Sequence, residues 1–172
     1  MTKKEVVIRL AIIEDIPKIM VIVKAAVNYM NSNGNFQWST DYPTSSIFQS
    51  DISKGELWVA ILDDEVVGVA AINQDHTPEY DTLVWNNNAP YWGIHRVAIS
   101  EQFKGNRIAE KLFMKAEEIA RQSIDNYLRI DTNLLNKPAQ RLFERLGYSY
   151  IGQVYFAKTS TPFVCYDKIL ES

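Results

Sequence analysis

Apolar positions along the chain follow two spacings, and the changes between them mark the elements. Val6 to Leu10 is a short β-rich run. After it, Ile16, Ile19, Met20, Val23, Val27 and Met30 recur at three- and four-residue steps, which predicts a helix with one buried face. Asp15 and Pro17 suit its first turn, and Asn31 to Gly34 its end. Thr44 to Ser53 reads as a shorter helix, with Pro43 near its start and Gly55 past its end. Leu57 to Leu62 and Val66 to Ile72 are branched apolar runs split by Asp63-Asp64-Glu65, which predicts a hairpin. Asn73 to Pro90 is irregular and carries His76, Tyr80 and Trp85; unpatterned stretches of that length are often functional. Tyr91 to Ser100 is a predicted strand, Asn106 to Gln122 a helix built on Ile108, Leu112, Ala116, Ile119 and Ala120, and Tyr127 to Thr132 a strand. Pro138 to Leu146 is a short helix closed by Gly147. Tyr148 to Phe156 and Phe163 to Leu170 form a final antiparallel pair.

The order β-α-α-β-β-β-α-β-α-β-β predicts the α+β class. The expected architecture is an α/β/α layering: a mixed, mostly antiparallel sheet of about six to seven strands with helices on both faces. A length of 172 residues suits one domain over 1–172. A net charge of −3, with no Lys/Arg block longer than two, gives no electrostatic footprint for nucleic acid. The lone Cys165 forbids an internal disulfide and reads as a buried, inert thiol in a reducing compartment. Met1-Thr2-Lys3-Lys4-Glu5 leads into a strand rather than a signal core, and no apolar run approaches the roughly 18 residues a membrane span needs. The expectation is a cytoplasmic protein with no membrane partner; assembly as a homodimer is left open.

The stretch His95-Arg96-Val97-Ala98-Ile99-Ser100-Glu101-Gln102-Phe103-Lys104-Gly105-Asn106-Arg107-Ile108-Ala109 carries the most chemistry. A strand runs through a short basic, glycine-containing turn into a long helix. The first turn of such a helix offers unpaired N–H groups and a positive dipole end, so an anion, and a pyrophosphate in particular, is its natural guest. A merely solvated helix start with incidental basic residues is the plainer alternative.

With Lys104-Gly105-Asn106-Arg107-Ile108-Ala109 following Val97-Ala98-Ile99, the chain resembles the GNAT superfamily of acetyl-CoA-dependent N-acetyltransferases, whose loop reads Arg/Gln-x-x-Gly-x-Gly/Ala. Asn136, Ala139, Leu142, Phe143, Gly147 and Tyr148 resemble its Asn-x-x-Ala-x-x-Leu-Tyr-x-x-x-Gly-Phe/Tyr segment. The resemblance implies acetyl-CoA as cosubstrate and a primary amine of a small molecule or peptide as acceptor, acetylated by direct attack. It implies that Val97, Ala98 and Ile99 line the pantetheine arm and polarise the thioester oxygen. It further implies that Lys104, Gly105, Asn106, Arg107, Ile108 and Ala109 hold the pyrophosphate, and that Asn136 touches the pantetheine or a bound water. Two residues depart from the pattern. Arg107 stands where a glycine is usual, and fits if the helix has already begun there. Phe143 stands where many members have a tyrosine that protonates the leaving thiolate.

An alkyl amine is mostly protonated at neutral pH, so its proton needs a route. His95 is the expected base, because two-residue spacing from Val97 puts it on the same strand face and an imidazole titrates near neutrality; some family members carry a histidine at a matching place. A packed histidine, or an ordered water chain, is the alternative. His76, Glu101 and Glu144 read as surface residues, and two isolated histidines give no metal site. By position in the family, Trp38, Tyr42 and Trp85, among other aromatic residues in the two irregular stretches, are expected to line the acceptor cleft; packing of these rings against the core is the plainer role. Two other functions stay open: a toxin-like or resistance acetyltransferase, and a catalytically weak or inactive acyl-CoA-binding sensor.

Overall fold

The alternating and helical patterns fold as the element order predicts. The computed structural model describes residues 4–157 and 159–171; the reading made on Met1 to Lys3 lies outside them. Seven strands, β1 (Val7–Leu10), β2 (Leu57–Leu62), β3 (Glu65–Asn73), β4 (Gly93–Ile99), β5 (Tyr127–Asn133), β6 (Ser149–Val154) and β7 (Phe163–Ile169), accompany four helices. The helices are α1 (Ile16–Ser32), α2 (Ser45–Ser53), α3 (Ile108–Gln122) and α4 (Lys137–Arg145). Hydrogen bonding divides the strands into two sheets, β1-β2-β3-β4 and β5-β7-β6. The α+β class expected from the sequence is what forms, with the strands shared between two sheets. Contacts likewise divide the chain into two units, Met1–Ile72 with Ile94–Lys115, and Asn73–Gly93 with Ala116–Ser172.

In the first unit the hairpin of β2 and β3 turns on Asp63 and Asp64, both at positive φ (53° and 63°), the combination a two-residue hairpin loop requires. One sheet face, with Leu57, Val59, Val69 and Ala71, packs on Ile16, Ile19, Ile22, Val23 and Val27 of α1 and on Phe48 of α2. The opposite face receives the start of α3. Gly68 lies opposite Ala60 there, and a β-carbon on it would come within 2.9 Å of Ile108 Cγ2. The missing side chain is what lets the helix sit so close. Lys115, a later residue of α3, lies with Nζ 4.6 Å from the centre of the Trp58 ring.

In the second unit, β7 lies between β5 and β6 and is antiparallel to both. Strand alternation gives this sheet two distinct faces. On one, Phe143 of α4 packs edge-on against Tyr166, with ring centres 5.3 Å apart. The other carries Tyr127, Arg129 and Asp131 and is covered by the irregular stretch around Tyr80 and Trp85. The short α4 ends in two crossed bonds, Gly147 N–H to Glu144 O (3.1 Å) and Tyr148 N–H to Phe143 O (3.0 Å). Gly147 at φ 89° supplies the left-handed residue that this closure needs. No helix among the described residues is long and apolar enough to cross a membrane.

Candidate active site

In the first unit β4 is the outer strand of its sheet, bonded to β3 on one side only. Its three expected cofactor residues differ in exposure: Ala98 is buried in the core, while Val97 and Ile99 are half-buried. An outer strand keeps a row of N–H and C=O groups for an extended partner, which is what an amide-bearing arm such as pantetheine needs. After Ile99 the chain makes a 3-10 turn at Glu101–Phe103, then Lys104, Gly105 at φ 90°, Asn106 and Arg107 before α3 starts. The main-chain N–H groups of Gly105, Asn106 and Arg107 donate to no described group, and those of Ile108, Ala109 and Glu110 form the first turn of α3. Consecutive undonated amides at a helix start make an anion cradle. The Asn106 side chain braces this turn, donating from Nδ2 to Phe103 O at 2.9 Å.

Arg107 corrects one expectation. The helix has not begun there: Arg107 is at φ 58°, in the left-handed region, and α3 starts one residue later. The position therefore keeps the glycine-like backbone, with an arginine held in it. Its Nε pairs with Glu110 at 2.8 Å, an exposed arginine on a mostly covered carboxylate, and Lys104 Nζ pairs with Glu101 at 2.9 Å through two exposed side chains. An exposed pair such as Lys104–Glu101 is worth about 1 kcal/mol or less, so Lys104 can turn to a bound anion at little cost.

His95 is half-buried on β4. Between it and Val97, Arg96 sits at φ 53°, which breaks the strand alternation. Two-residue spacing alone therefore does not fix His95 and Val97 on one face. Arg96 itself forms a fork with Asp51 of α2, Nε to Oδ2 and Nη2 to Oδ1 both at 2.9 Å, and donates to the Tyr42 hydroxyl at 3.4 Å. Burial acts to lower the guanidinium pKa, but the bonds to Asp51 and Tyr42 outweigh it and raise it. Tyr42 is 40% exposed, whereas Trp38 is 4% exposed and part of the α1–α2 core. Of these two expected acceptor residues, Tyr42 is at the surface and Trp38 is packing.

In the second unit Trp85 is a half-buried wall: its Nε1 donates to Tyr80 O at 2.8 Å, and the Arg129 guanidinium stacks 4.3 Å from its ring. Asn136 is the N-cap of α4, its Oδ1 accepting from Ala139 N–H at 3.2 Å and its Nδ2 donating to Thr132 Oγ1 at 3.2 Å. Both ends of that side chain are thus committed within the protein. Phe143 is buried beside Tyr148 and Tyr166. His76 is exposed next to Asp81, and burial raises the pKa of the buried Cys165 thiol.

Sequence reasoning passed over a polar set on β5. Tyr80 donates its hydroxyl to Asp131 Oδ2. Burial pushes the Asp131 carboxyl up to about 6, against the bond from Tyr80 that pulls it down. Arg129 lies among the rings of Trp85, Tyr91 and Tyr127, and Asp167 takes the Tyr127 hydroxyl at 2.8 Å. The alternation Tyr127-Leu-Arg-Ile-Asp carried the signal: two charges on one face of an otherwise apolar strand.

Residues 23–148 match the Acetyltransferase (GNAT) family. A crystal structure of a GNAT-family acetyltransferase from Streptococcus agalactiae is 31% identical, covering 97% of this chain and 96% of that one at a TM-score of 0.82. A structure from Salmonella typhimurium with its cofactor acetyl-CoA shares the fold at a TM-score of 0.69 and 17% identity, covering 97% of this chain and 95% of that one. N-acetylaspartate synthetase of Xenopus tropicalis is 28% identical over 97 residues, 56% of this chain. That match spans only 32% of the curated relative's own length.

Proposed function

We propose that the chain, which belongs to the Acetyltransferase (GNAT) family, is an acyltransferase that uses acetyl-CoA to acetylate a primary amine of a small molecule or peptide by direct attack. The observation that carries the reading is the junction of β4 and α3, an outer strand followed by consecutive undonated amides at Gly105, Asn106 and Arg107. In this reading Val97 and Ile99 hold the pantetheine arm by their main chain, and an N–H of the same stretch receives the charge that develops on the thioester oxygen. The amides of Gly105 to Ala109, with Lys104 and Arg107, hold the pyrophosphate. Tyr42 in the first unit is proposed to meet the acceptor, with Trp38 supporting from the core; in the second unit Trp85 forms a wall and Asn136 caps α4. The partial likeness to N-acetylaspartate synthetase supports a small-molecule amine. The whole chain works as one acetyltransferase domain in the cytoplasm.

Direct attack forms an N–C bond and breaks the C–S bond, with the sulfur leaving as thiolate. A thiol titrates near 8.5, so the thiolate can leave without a donor at the Phe143 position. His95 is the β4 group proposed to take the proton released from nitrogen as the bond forms. His95→Gln is expected to lower turnover and leave acetyl-CoA affinity unchanged. Calorimetry tests the cradle: Gly105→Asp is expected to weaken acetyl-CoA binding at least tenfold, an energy of about 1.4 kcal/mol. Undiminished affinity would refute it.

A further inference from the structure

Within the first unit, an exposed hydroxyl is bonded to a covered ion pair. Asp51 of α2 and Arg96 of β4 form the fork described above, with side chains 6% and 16% exposed. Both carboxylate oxygens of Asp51 are taken by that fork. The third nitrogen of the guanidinium, Nη1, donates to the Tyr42 hydroxyl at 3.4 Å, and Tyr42 is 40% exposed. The three groups thus run from core to surface in the order anion, cation, hydroxyl. Tyr42 is fixed there by its main chain, which exchanges two bonds with Ser39: Ser39 N–H to Tyr42 O at 2.9 Å, and Tyr42 N–H to Ser39 O at 3.3 Å. Arg96 is held with a left-handed backbone, φ 53°, which is costly for any residue with a side chain and clusters at ligand sites.

A guanidinium has donors and no acceptor, so the Tyr42 oxygen is the accepting end of its bond with Arg96. The hydroxyl proton is therefore directed away from Arg96, and the charge behind it polarises the O–H into a stronger donor. What such a group seeks is an oxygen acceptor, best an anionic one. To an ammonium it offers little, because the carboxylate of the set is turned inward and paired. We propose that Tyr42, backed by Arg96, binds a carboxylate on the acceptor, so that the acceptor is a primary amine that carries a carboxylate. The proposal rests on the acetyl-transfer reading above and names its substrate class.

The place of the pair in the first unit suits this work. Arg96 lies on β4 between His95, the proposed base, and Val97, where the proposed pantetheine contact begins. An acceptor held at Tyr42 is therefore held beside the strand on which transfer is proposed to occur. The choice of arginine also has a reason. Its planar fork meets Asp51 with two nitrogens and still presents a third to Tyr42, which a lysine ammonium on one flexible stem does not reproduce. The bond to Tyr42 is long, and bonds of that length at reaction sites commonly tighten once substrate is held.

The test is a set of matched acceptors: glycine against methylamine, β-alanine against ethylamine, and γ-aminobutyrate against n-propylamine. The second member of each pair lacks only the carboxylate, and the three lengths sample its spacing from the amine. Rates are read as kcat/KM on the concentration of free amine, so differences in amine basicity drop out. Wild type is expected to favour the carboxylate member of at least one pair roughly tenfold or more, the usual worth of a hydrogen bond to a charged group. Tyr42→Phe, which keeps the ring, should bring that ratio close to one, with acetyl-CoA affinity the same in both proteins. Equal use of both members of every pair by the wild type, or a ratio unchanged in Tyr42→Phe, overturns the proposal. A second readout needs no turnover. The Tyr42 Cζ resonance, identified by its loss in Tyr42→Phe, is titrated with sodium propionate and with n-propylammonium chloride at constant ionic strength. A saturable shift with propionate supports the carboxylate site; no shift, or a shift with the ammonium salt alone, overturns it. Absence of thiol release by the wild type with every amine would instead sink the acetyl-transfer reading, and the propionate titration would still decide the Tyr42 site.

Discussion

Replacing Gly68 by alanine tests whether close packing of α3 on β3 holds the proposed cofactor turn in place. The added β-carbon meets Ile108 Cγ2 at 2.9 Å, Ile99 Cδ1 at 3.1 Å and Ala60 Cβ at 3.5 Å. Ile99 can swing its terminal methyl away. Ile108 cannot yield so easily, because a β-branched side chain in a helix keeps one χ1 rotamer, and Ile108 is the first residue of α3. Relief therefore requires the helix start to shift by a few tenths of an ångström. Overpacking of this kind costs about 1–3 kcal/mol. Losing a flexible glycine from a strand interior gives back about 0.5–1 kcal/mol. The net is a destabilisation of about 1–2 kcal/mol, a fall in Tm of roughly 2–8 °C for a chain of this size. Thermal melts give the stability and calorimetry the acetyl-CoA affinity, which should fall as well, because Ile108 continues directly from the turn. In Gly68→Ala/Ile108→Ala the penalties should be less than additive, since the second change removes the atom that clashes. A Gly68→Ala protein as stable as wild type, with additive penalties in the double variant, would refute the reasoning.

Three further expectations follow from the site. Arg107→Gly removes about 1–2 kcal/mol of left-handed strain but adds freedom to the unfolded chain and gives up the ion pair with Glu110. Its stability should stay within about 1 kcal/mol of wild type while acetyl-CoA binding weakens and becomes less salt-dependent; tighter binding would contradict the phosphate role. Arg96→Met strands the buried Asp51 carboxylate and should cost about 3–5 kcal/mol in denaturant unfolding, with Asp51→Leu added to it recovering much of the loss. Asp131 is raised on folding, so between its unfolded pKa of 3.8 and its folded value of about 6 the folded state holds more protons and stability falls as pH rises. Asp131→Asn removes that fall, making the variant more stable than wild type at pH 7 by at most about 3 kcal/mol, and a pH series of urea unfolding curves measures it.

The element order was legible because each segment has a clear period and its own stop signal, as with the Ile16–Met30 stripe or Gly147 after α4. The succession of strand, Gly105 turn and helix start, proposed above as the pyrophosphate site, was legible for the same reason. Features set by distant contacts were not. The β6–β7 pair was legible, but β7 also pairs with β5 through a register that no local pattern encodes, and the second sheet is completed by it. The left-handed backbone at Arg96 and Arg107 is invisible in residues that rarely adopt it. Trp38 reads the same whether it faces a cleft or a core, and only the packing of α1 and α2 places it inside. Asp131 needed Tyr80 beside it, a partner 51 residues earlier in the chain.

The most direct test of the account is release of free thiol from acetyl-CoA by the purified protein across a panel of primary amines, with the acetylated product identified by mass. The account predicts amine-dependent thiol release matched one-to-one by acetyl-amide product. Acetyl-CoA binding by calorimetry with no thiol released for any amine would contradict it and leave a coenzyme-binding sensor in its place.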